Sequence, residues 1–330
     1  MNNRRKLIVA LGASALAAPL VSDAQKQDKV WRLGYLDFGT RKSMVEAGRY
    51  AALIEGLRER GYVEGRNFVL ETRNADSDVN RLAVLAAELV QQKVDLILAT
   101  GPVATHAAKR AAPAIPIVVT VTSDPVGEGF AASLARPGGN ITGMSSGVED
   151  TVLKLLELLL IAAPKSKRIA VLTNPSNSGH PPLLARVQAA AAKAGRQTLP
   201  VSMRTVEDIE RGFATMVREH VDSMIIFIDG FLIQQRAQIA ALALKHKLPS
   251  IFPYSVYPEA GGLMSYGADL TESFRRAGIF VDKILKGAKP GDIPFEQPTR
   301  YHFVINRKTA NALGIKLTGE LLTRADKVIE

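Results

Sequence analysis

Val94-Asp95-Leu96-Ile97-Leu98 and Val221-Asp222-Ser223-Met224-Ile225-Ile226 are two versions of one phrase, and their recurrence decides how the chain is read. Each is a short apolar run entered through an aspartate, and such a run reads as a strand buried on both faces. The surroundings recur as well. Ile115-Pro116-Ile117 corresponds to Leu248-Pro249-Ser250-Ile251, and Lys29 to Leu36 has a counterpart in Lys167 to Leu172. The helix that ends Glu59-Arg60-Gly61 resembles the one that ends Lys193-Ala194-Gly195. The copies stand roughly 130 residues apart, far beyond the ~20–50-residue period of a solenoid, so the repeat means two similar lobes.

Within each copy, strands alternate with helices, the pattern of parallel βαβ units. In the first, strands are expected at Val30 to Leu36, Asn67 to Glu71, Val94 to Ala99 and Ile115 to Val121. Helices are expected at Met44 to Arg60, Asn80 to Gln91 and Val103 to Ala112. The expectation is an α/β fold of two doubly wound parallel-sheet lobes joined by a hinge. A chain of 330 residues suits two such units at ~150 residues each.

Open parallel sheets bind ligands beyond the carboxyl ends of their strands, where loops converge and helix N-termini offer free N–H groups. In lobe one these loops are Asp37 to Thr40, Thr100 to Pro102 and Thr122 to Val126. In lobe two they are Thr173 to Ser178, Asp229 to Phe231 and Pro253 to Tyr257. The candidate ligand-binding residues are therefore Gly39, Thr40, Thr100, Gly101, Ser123 and Asp124 on one side. Asn174, Asn177, Asp229 and Tyr254 face them. Hydroxyls and helix N-termini suit a carboxylate, an aspartate suits an ammonium, and Tyr or Phe suits an aromatic tail, so an amino acid would satisfy the set. The same residue types also serve as ordinary caps and turns.

Two motifs compete with a binding role. Gly143-Met144-Ser145-Ser146-Gly147 matches the G-x-S-x-G nucleophile elbow, which makes an exported α/β hydrolase using Ser145 the alternative function. The elbow needs a strong strand just before it and a helix just after. The sequence offers only Ile141-Thr142 in front, and a helix from about Asp150. Gly127-Glu128-Gly129-Phe130-Ala131-Ala132 loosely matches a dinucleotide fingerprint but follows the wrong strand of its lobe. The five histidines have no ligand-pair spacing, and with no cysteine there is no thiolate chemistry; neither a metal nor a cofactor is expected.

The net charge of +10 is dispersed along the chain, so no nucleic-acid partner is expected. Arg4, Arg5 and Lys6 precede an apolar stretch from Leu7 to Val21, and Ser22-Asp23-Ala24 forms a small-x-small site before Gln25. Residues 1–24 read as a secretory signal peptide. Arg4-Arg5 fits a twin-arginine signal loosely, which leaves the export route open. No cysteine follows for lipid attachment, so the expectation is a free periplasmic protein, a monomer. A transcriptional regulator with this kind of clamp would need a helix-turn-helix where the signal stands.

Several runs taken together resemble the ABC transporter substrate-binding family of tryptophan/tyrosine type. They include Gly61-Tyr-Val-Glu-Gly-Arg-Asn67, Asp124-Pro-Val-Gly127, Ser133-Leu-Ala-Arg-Pro-Gly-Gly-Asn140, Glu259-Ala-Gly-Gly-Leu-Met-Ser-Tyr-Gly267 and Glu296-Gln-Pro-Thr299. The resemblance implies a type I periplasmic binding protein-like fold, in which lobe one spans 30–144 plus 267–297 and lobe two 145–266 plus 298–330. The chain would cross between lobes near Met144 to Glu149, Met264 to Gly267 and Pro298. It also implies a function: a non-enzymatic protein that captures a small molecule, an amino acid or a similar aromatic carboxylate, and delivers it to a membrane permease. Gly39, Thr40, Gly101, Asp124, Asn174 and Asp229 are the positions it carries over. Two departures, Tyr254-Ser255 and Asp229-Gly230, lie in second-lobe loops and leave the ligand's identity open. Within the cleft, Asp229 is expected to receive a ligand ammonium, and Thr40, Thr100 and the Gly101 backbone a carboxylate. Capping of the helix from Phe231 is the other reading of Asp229.

Protein recovered from the periplasm should begin at Gln25, as read by N-terminal sequencing; recovery only from the cytoplasm with residues 1–24 intact would contradict export.

Overall fold

A computed structural model describes residues 29–330; the expected signal peptide lies outside the described residues. The first sheet has strands β1 (Trp31–Asp37), β2 (Phe68–Asn74), β3 (Leu96–Thr100), β4 (Ile117–Thr122) and β5 (Ile141–Ser145) in the order β2-β1-β3-β4-β5. All are parallel. Helices α1 (Arg41–Glu46), α2 (Arg49–Arg58), α3 (Arg81–Gln91) and α4 (Gly101–Ala111) connect them. The single helix expected over Met44 to Arg60 is two helices. The chain breaks at Ala47-Gly48, where Gly48 takes a left-handed φ of 69°.

The second lobe opens with α5 (Val148–Ala162), then runs through β6 (Arg168–Thr173), α6 (His180–Lys193), β7 (Gln197–Ser202), α7 (Val206–Arg218) and β8 (Ser223–Ile226). It continues with α8 (Gly230–Gln234), α9 (Arg236–Lys245), β9 (Ser250–Phe252), α10 (Val256–Glu259) and β10 (Met264–Ala268). Next come α11 (Leu270–Leu285), β11 (Tyr301–Asn306), α12 (Arg307–Ala312), α13 (Gly319–Arg324) and β12 (Lys327–Ile329). The second sheet is ordered β12-β11-β10-β9-β8-β6-β7. It is parallel except between β10 and β11, which run antiparallel.

The repeated aspartates explain themselves. Asp95 accepts the Arg32 N–H at 2.8 Å, and Asp222 accepts the N–H groups of Lys167 and Arg168 at 2.7 and 2.9 Å. Each one therefore ties the start of one strand, β3 or β8, to the start of its neighbour, β1 or β6. The apolar runs between them are fully buried, as strands covered by helices on both faces must be.

The chain passes between lobes three times. The first passage is between β5 and α5. The second was expected at Met264 to Gly267 but lies at Asp269, because Gly267 and Ala268 still pair with His302 and Tyr301 in the second sheet. Gly267 is a packing glycine: a Cβ there would collide with the Pro253 carbonyl. In the third, Ser145 N–H donates to Glu296 O at 2.8 Å before the chain leaves for β11.

Helix α11 belongs to the first lobe. Its Phe274, Ala277, Phe280 and Val281 join the core of Leu33, Tyr35, Leu53 and Leu57. It crosses α2 through Gly56 and Gly278. A Cβ on Gly278 would lie 2.5 Å from the Gly56 carbonyl carbon, and one on Gly56 would overlap the Arg275 carbonyl. Gly278→Val should therefore cost at least about 2 kcal/mol, the scale of overpacking a close contact. Urea unfolding measures it, and an unchanged midpoint would contradict the tight crossing.

Candidate functional site

The carboxyl ends of β1, β3 and β4 face those of β6, β8 and β9 across a cavity of about 190 Å³. That is more than the ~150 Å³ known to admit a benzene ring. Phe38, Val121, Phe231, Ile233 and Phe274 give it apolar walls. Of the ten expected site residues, Gly39, Thr100, Gly101, Ser123, Asn174, Asn177, Asp229 and Tyr254 line it.

Thr40 and Asp124 do not. Thr40 Oγ1 accepts the Ser43 N–H at 3.0 Å as the N-cap of α1, and Asp124 Oδ1 accepts the Gly127 N–H at 2.8 Å in a turn. Thr100 is on the wall, but its hydroxyl is bonded to those of Tyr35 and Thr120, both at 3.0 Å. Gly101 opens α4 with φ +76°, a conformation that favours glycine, and nothing lies within 4 Å of where its Cβ would be.

Asp229 is the most heavily bonded group at the site. Its carboxylate accepts the N–H groups of Phe231 and Leu232 at 2.9 and 3.1 Å, so it does cap α8. The Asn174 amide reaches both of its oxygens at 3.2 Å, and the Asn177 amide reaches Oδ2 at 3.2 Å. His180 holds this loop in place. Its Nδ1 accepts the Asn174 N–H at 2.9 Å and its Nε2–H donates to Ile228 O at 2.9 Å, which fixes a neutral tautomer. Burial pushes the His180 imidazole below its ordinary value of 6.5, against the pull of the Ile228 hydrogen bond and the carboxylates of Asp229 and Glu128.

Sequence reading missed four groups at the cleft. Arg49, in the first turn of α2, is buried and lines the cavity. Asp37 ends β1 on the same wall, and burial raises its carboxyl above the ordinary range. The third is Glu128, which accepts from His106 Nε2–H at 2.7 Å within its own lobe and from the Ser178 hydroxyl at 2.8 Å across the cleft. Burial acts to raise Glu128, but these two bonds outweigh it and hold the carboxyl below its usual value. The fourth is Gln234, whose amide packs against Gly39 of the opposite lobe. Phe38 likewise meets Gly230, so the cleft is shut.

Four buried polar atoms on the cavity wall have no hydrogen-bond partner among the described residues: Arg49 Nε, Thr122 Oγ1, Ser123 Oγ and Tyr254 OH. Six more such atoms lie elsewhere, but these four share one cavity, where a polar ligand would satisfy them together.

Ser145 tells a different story. The strand before it is longer than expected, and α5 starts at Val148, so a strand–turn–helix does surround it. Its hydroxyl, however, is buried and bonds only to backbone, Ser123 O at 3.5 Å and the Gly147 N–H at 3.4 Å. With no base among the described residues bonded to it, the hydrolase alternative is not supported. The Gly127–Gly129 stretch is a turn with no helix behind it, so the dinucleotide reading also fails.

A family model described as ABC transporter substrate binding protein matches residues 43–329. A tyrosine-binding protein of Clostridioides difficile is 27% identical over 305 residues, 92% of this chain and 86% of the relative. Among solved structures, a Streptococcus pneumonia ABC domain in complex with L-Trp superposes with a TM-score of 0.84 at 26% identity, covering 91% of this chain and all of that one. The ligand-free, open structure of a Clostridium difficile substrate-binding protein with adhesive properties has the same 26% identity. It covers 91% of this chain and 99% of that one, but its TM-score is 0.67. The shut cleft described above thus lies nearer the ligand-bound relative than the open one.

The neutral His180 gives the fold a pH dependence of definite sign. An unfolded chain takes up a proton near 6.5, whereas the folded site resists it, so this stability is present above 6.5 and is lost as pH falls. Thermal unfolding should show the midpoint falling between pH 7.5 and 5, with a shallower slope in His180→Gln; a flat wild-type profile would contradict the buried neutral ring.

Proposed function

Because the chain belongs to the ABC transporter substrate-binding protein family, whose model spans 43–329, we propose that its ligand is an aromatic amino acid of the tyrosine or tryptophan kind. The protein is the substrate-binding component of an ABC transporter. In our reading it works as a monomer in the periplasm, after removal of residues 1–24, and presents its ligand to a membrane permease. The observation that carries the ligand class is the set of unpartnered polar atoms, Arg49 Nε, Thr122 Oγ1, Ser123 Oγ and Tyr254 OH, on a ring-sized cavity that Phe38, Val121, Phe231, Ile233 and Phe274 also wall. A polar head meets the first and an aromatic ring fills the second. Two relatives support the choice, one named for tyrosine and one holding L-Trp.

Capture follows from the two-lobed build. The three passages at 145–148, at Asp269 and at 297–300 are short, and rotation there separates the loops of the two lobes. A ligand touching both walls favours the shut form by its difference in affinity for the two forms.

Calorimetry with L-tyrosine and L-tryptophan, on protein whose retained small molecules have first been identified by native mass spectrometry, tests the reading. Saturable binding of either, with compaction in small-angle scattering, is the expected result. Tyr254→Phe should weaken it by about two- to tenfold, the worth of one neutral hydrogen bond. Binding of neither amino acid would overturn the ligand class.

A further inference from the structure

We infer that Asp37 and Arg49, both on the first lobe, receive the ammonium and the carboxylate of the amino acid, and that Asp229 does not. This rests on the reading of the ligand as an aromatic amino acid.

Arg49 is a buried guanidinium in direct contact with no carboxylate of the described residues. It is 6% exposed and lines the cavity. Its one hydrogen bond goes from Nη2 to the Ser43 hydroxyl at 3.3 Å, and it lies 5.9 Å from the centre of the Phe274 ring. Nε has no partner, and no carboxylate of the described residues forms an ion pair with it. A buried charge left like this is costly, and a planar fork of N–H donors is the natural receptor for a carboxylate.

Asp37 is the complementary half. It is 5% exposed on the same wall, and its carboxylate accepts the Gly39 N–H at 3.2 Å and the Tyr35 hydroxyl at 3.3 Å. The Phe38 N–H also bonds it, and a carboxylate offers about four acceptor positions, so one remains for an ammonium. At Asp229 the two N–H groups and two amides described above fill that complement, leaving it a structural anion.

Placement favours the same division. The two charges of an α-amino acid hang from one carbon, so their receptors must be close without neutralising each other. Asp37 and Arg49 meet that requirement: the guanidinium is near enough to lower the Asp37 carboxyl against its burial, yet the two are not in contact. Phe38 and Val121 of the same lobe, with Phe231 and Ile233 opposite, leave the apolar remainder of the cavity for the ring.

The test is a matrix of calorimetric affinities, with L-tyrosine, tyramine (no carboxylate) and 3-(4-hydroxyphenyl)propionate (no ammonium) as probes. Wild type should prefer tyrosine to either analogue by about ten- to a hundredfold, the worth of a charged hydrogen bond. Asp37→Asn should reduce the preference over the propionate by about tenfold or more and leave that over tyramine. Arg49→Gln should do the reverse. Arg49→Met, which keeps the packing over Phe274 and asks for no hydrogen bond, replaces the Gln variant should circular dichroism show that variant unfolded. Asp229→Asn should change all three affinities alike. If wild type binds none of the probes, the ligand class and this assignment fall together. If wild type binds tyrosine but Asp37→Asn keeps its preference over the propionate while Asp229→Asn loses it, only the assignment falls.

Discussion

Helix α11 leaves the second sheet at Asp269 and within one turn has become part of the first lobe, and the shape of the cleft depends on how closely it can lie there. Its contact with α2 runs through two glycines, Gly56 and Gly278, whose missing side chains bring the two backbones together. The same helix supplies Leu270 and Phe274 to the cavity wall, and Phe274 carries the guanidinium of Arg49. A bulkier residue at either glycine would move a hinge, a wall and a charge together. Close packing makes such a displacement hard to absorb locally.

The architecture was legible because it rests on repetition. Val94-Asp95 and Val221-Asp222 recur for a mechanical reason, each aspartate tying two strand starts together, and a pattern with one local cause can be read from one sequence. What escaped had its cause elsewhere in the chain. The break at Ala47-Gly48 separates two stretches that each look helical, and the antiparallel β11 follows a long return through the first lobe.

The site was legible at the level of loops and less so at the level of residues. The rule that ligands lie beyond strand ends found the walls, including Asn174, Asn177 and Tyr254. It also selected Thr40 and Asp124, because a hydroxyl or carboxylate that caps a helix or turn cannot be told by type from one that meets a ligand. Arg49 and Glu128 were passed over for the opposite reason. An arginine near the start of a helix and a glutamate in a Gly-rich turn look like surface residues until the other lobe and the returning α11 bury them.

The bond from the Ser178 hydroxyl to Glu128 spans the cleft without touching the cavity. It therefore contributes to the shut form whether or not anything is inside. A binding protein whose empty state samples closure has a larger binding-competent fraction, and its apparent affinity rises by that same fraction. The cost appears at the other end of the cycle, since whatever docks on the lobes to unload them must break this bond as well as the ligand's own. Affinity for cargo and ease of handover are thus set against each other by one serine and one glutamate, neither of which need ever meet the cargo.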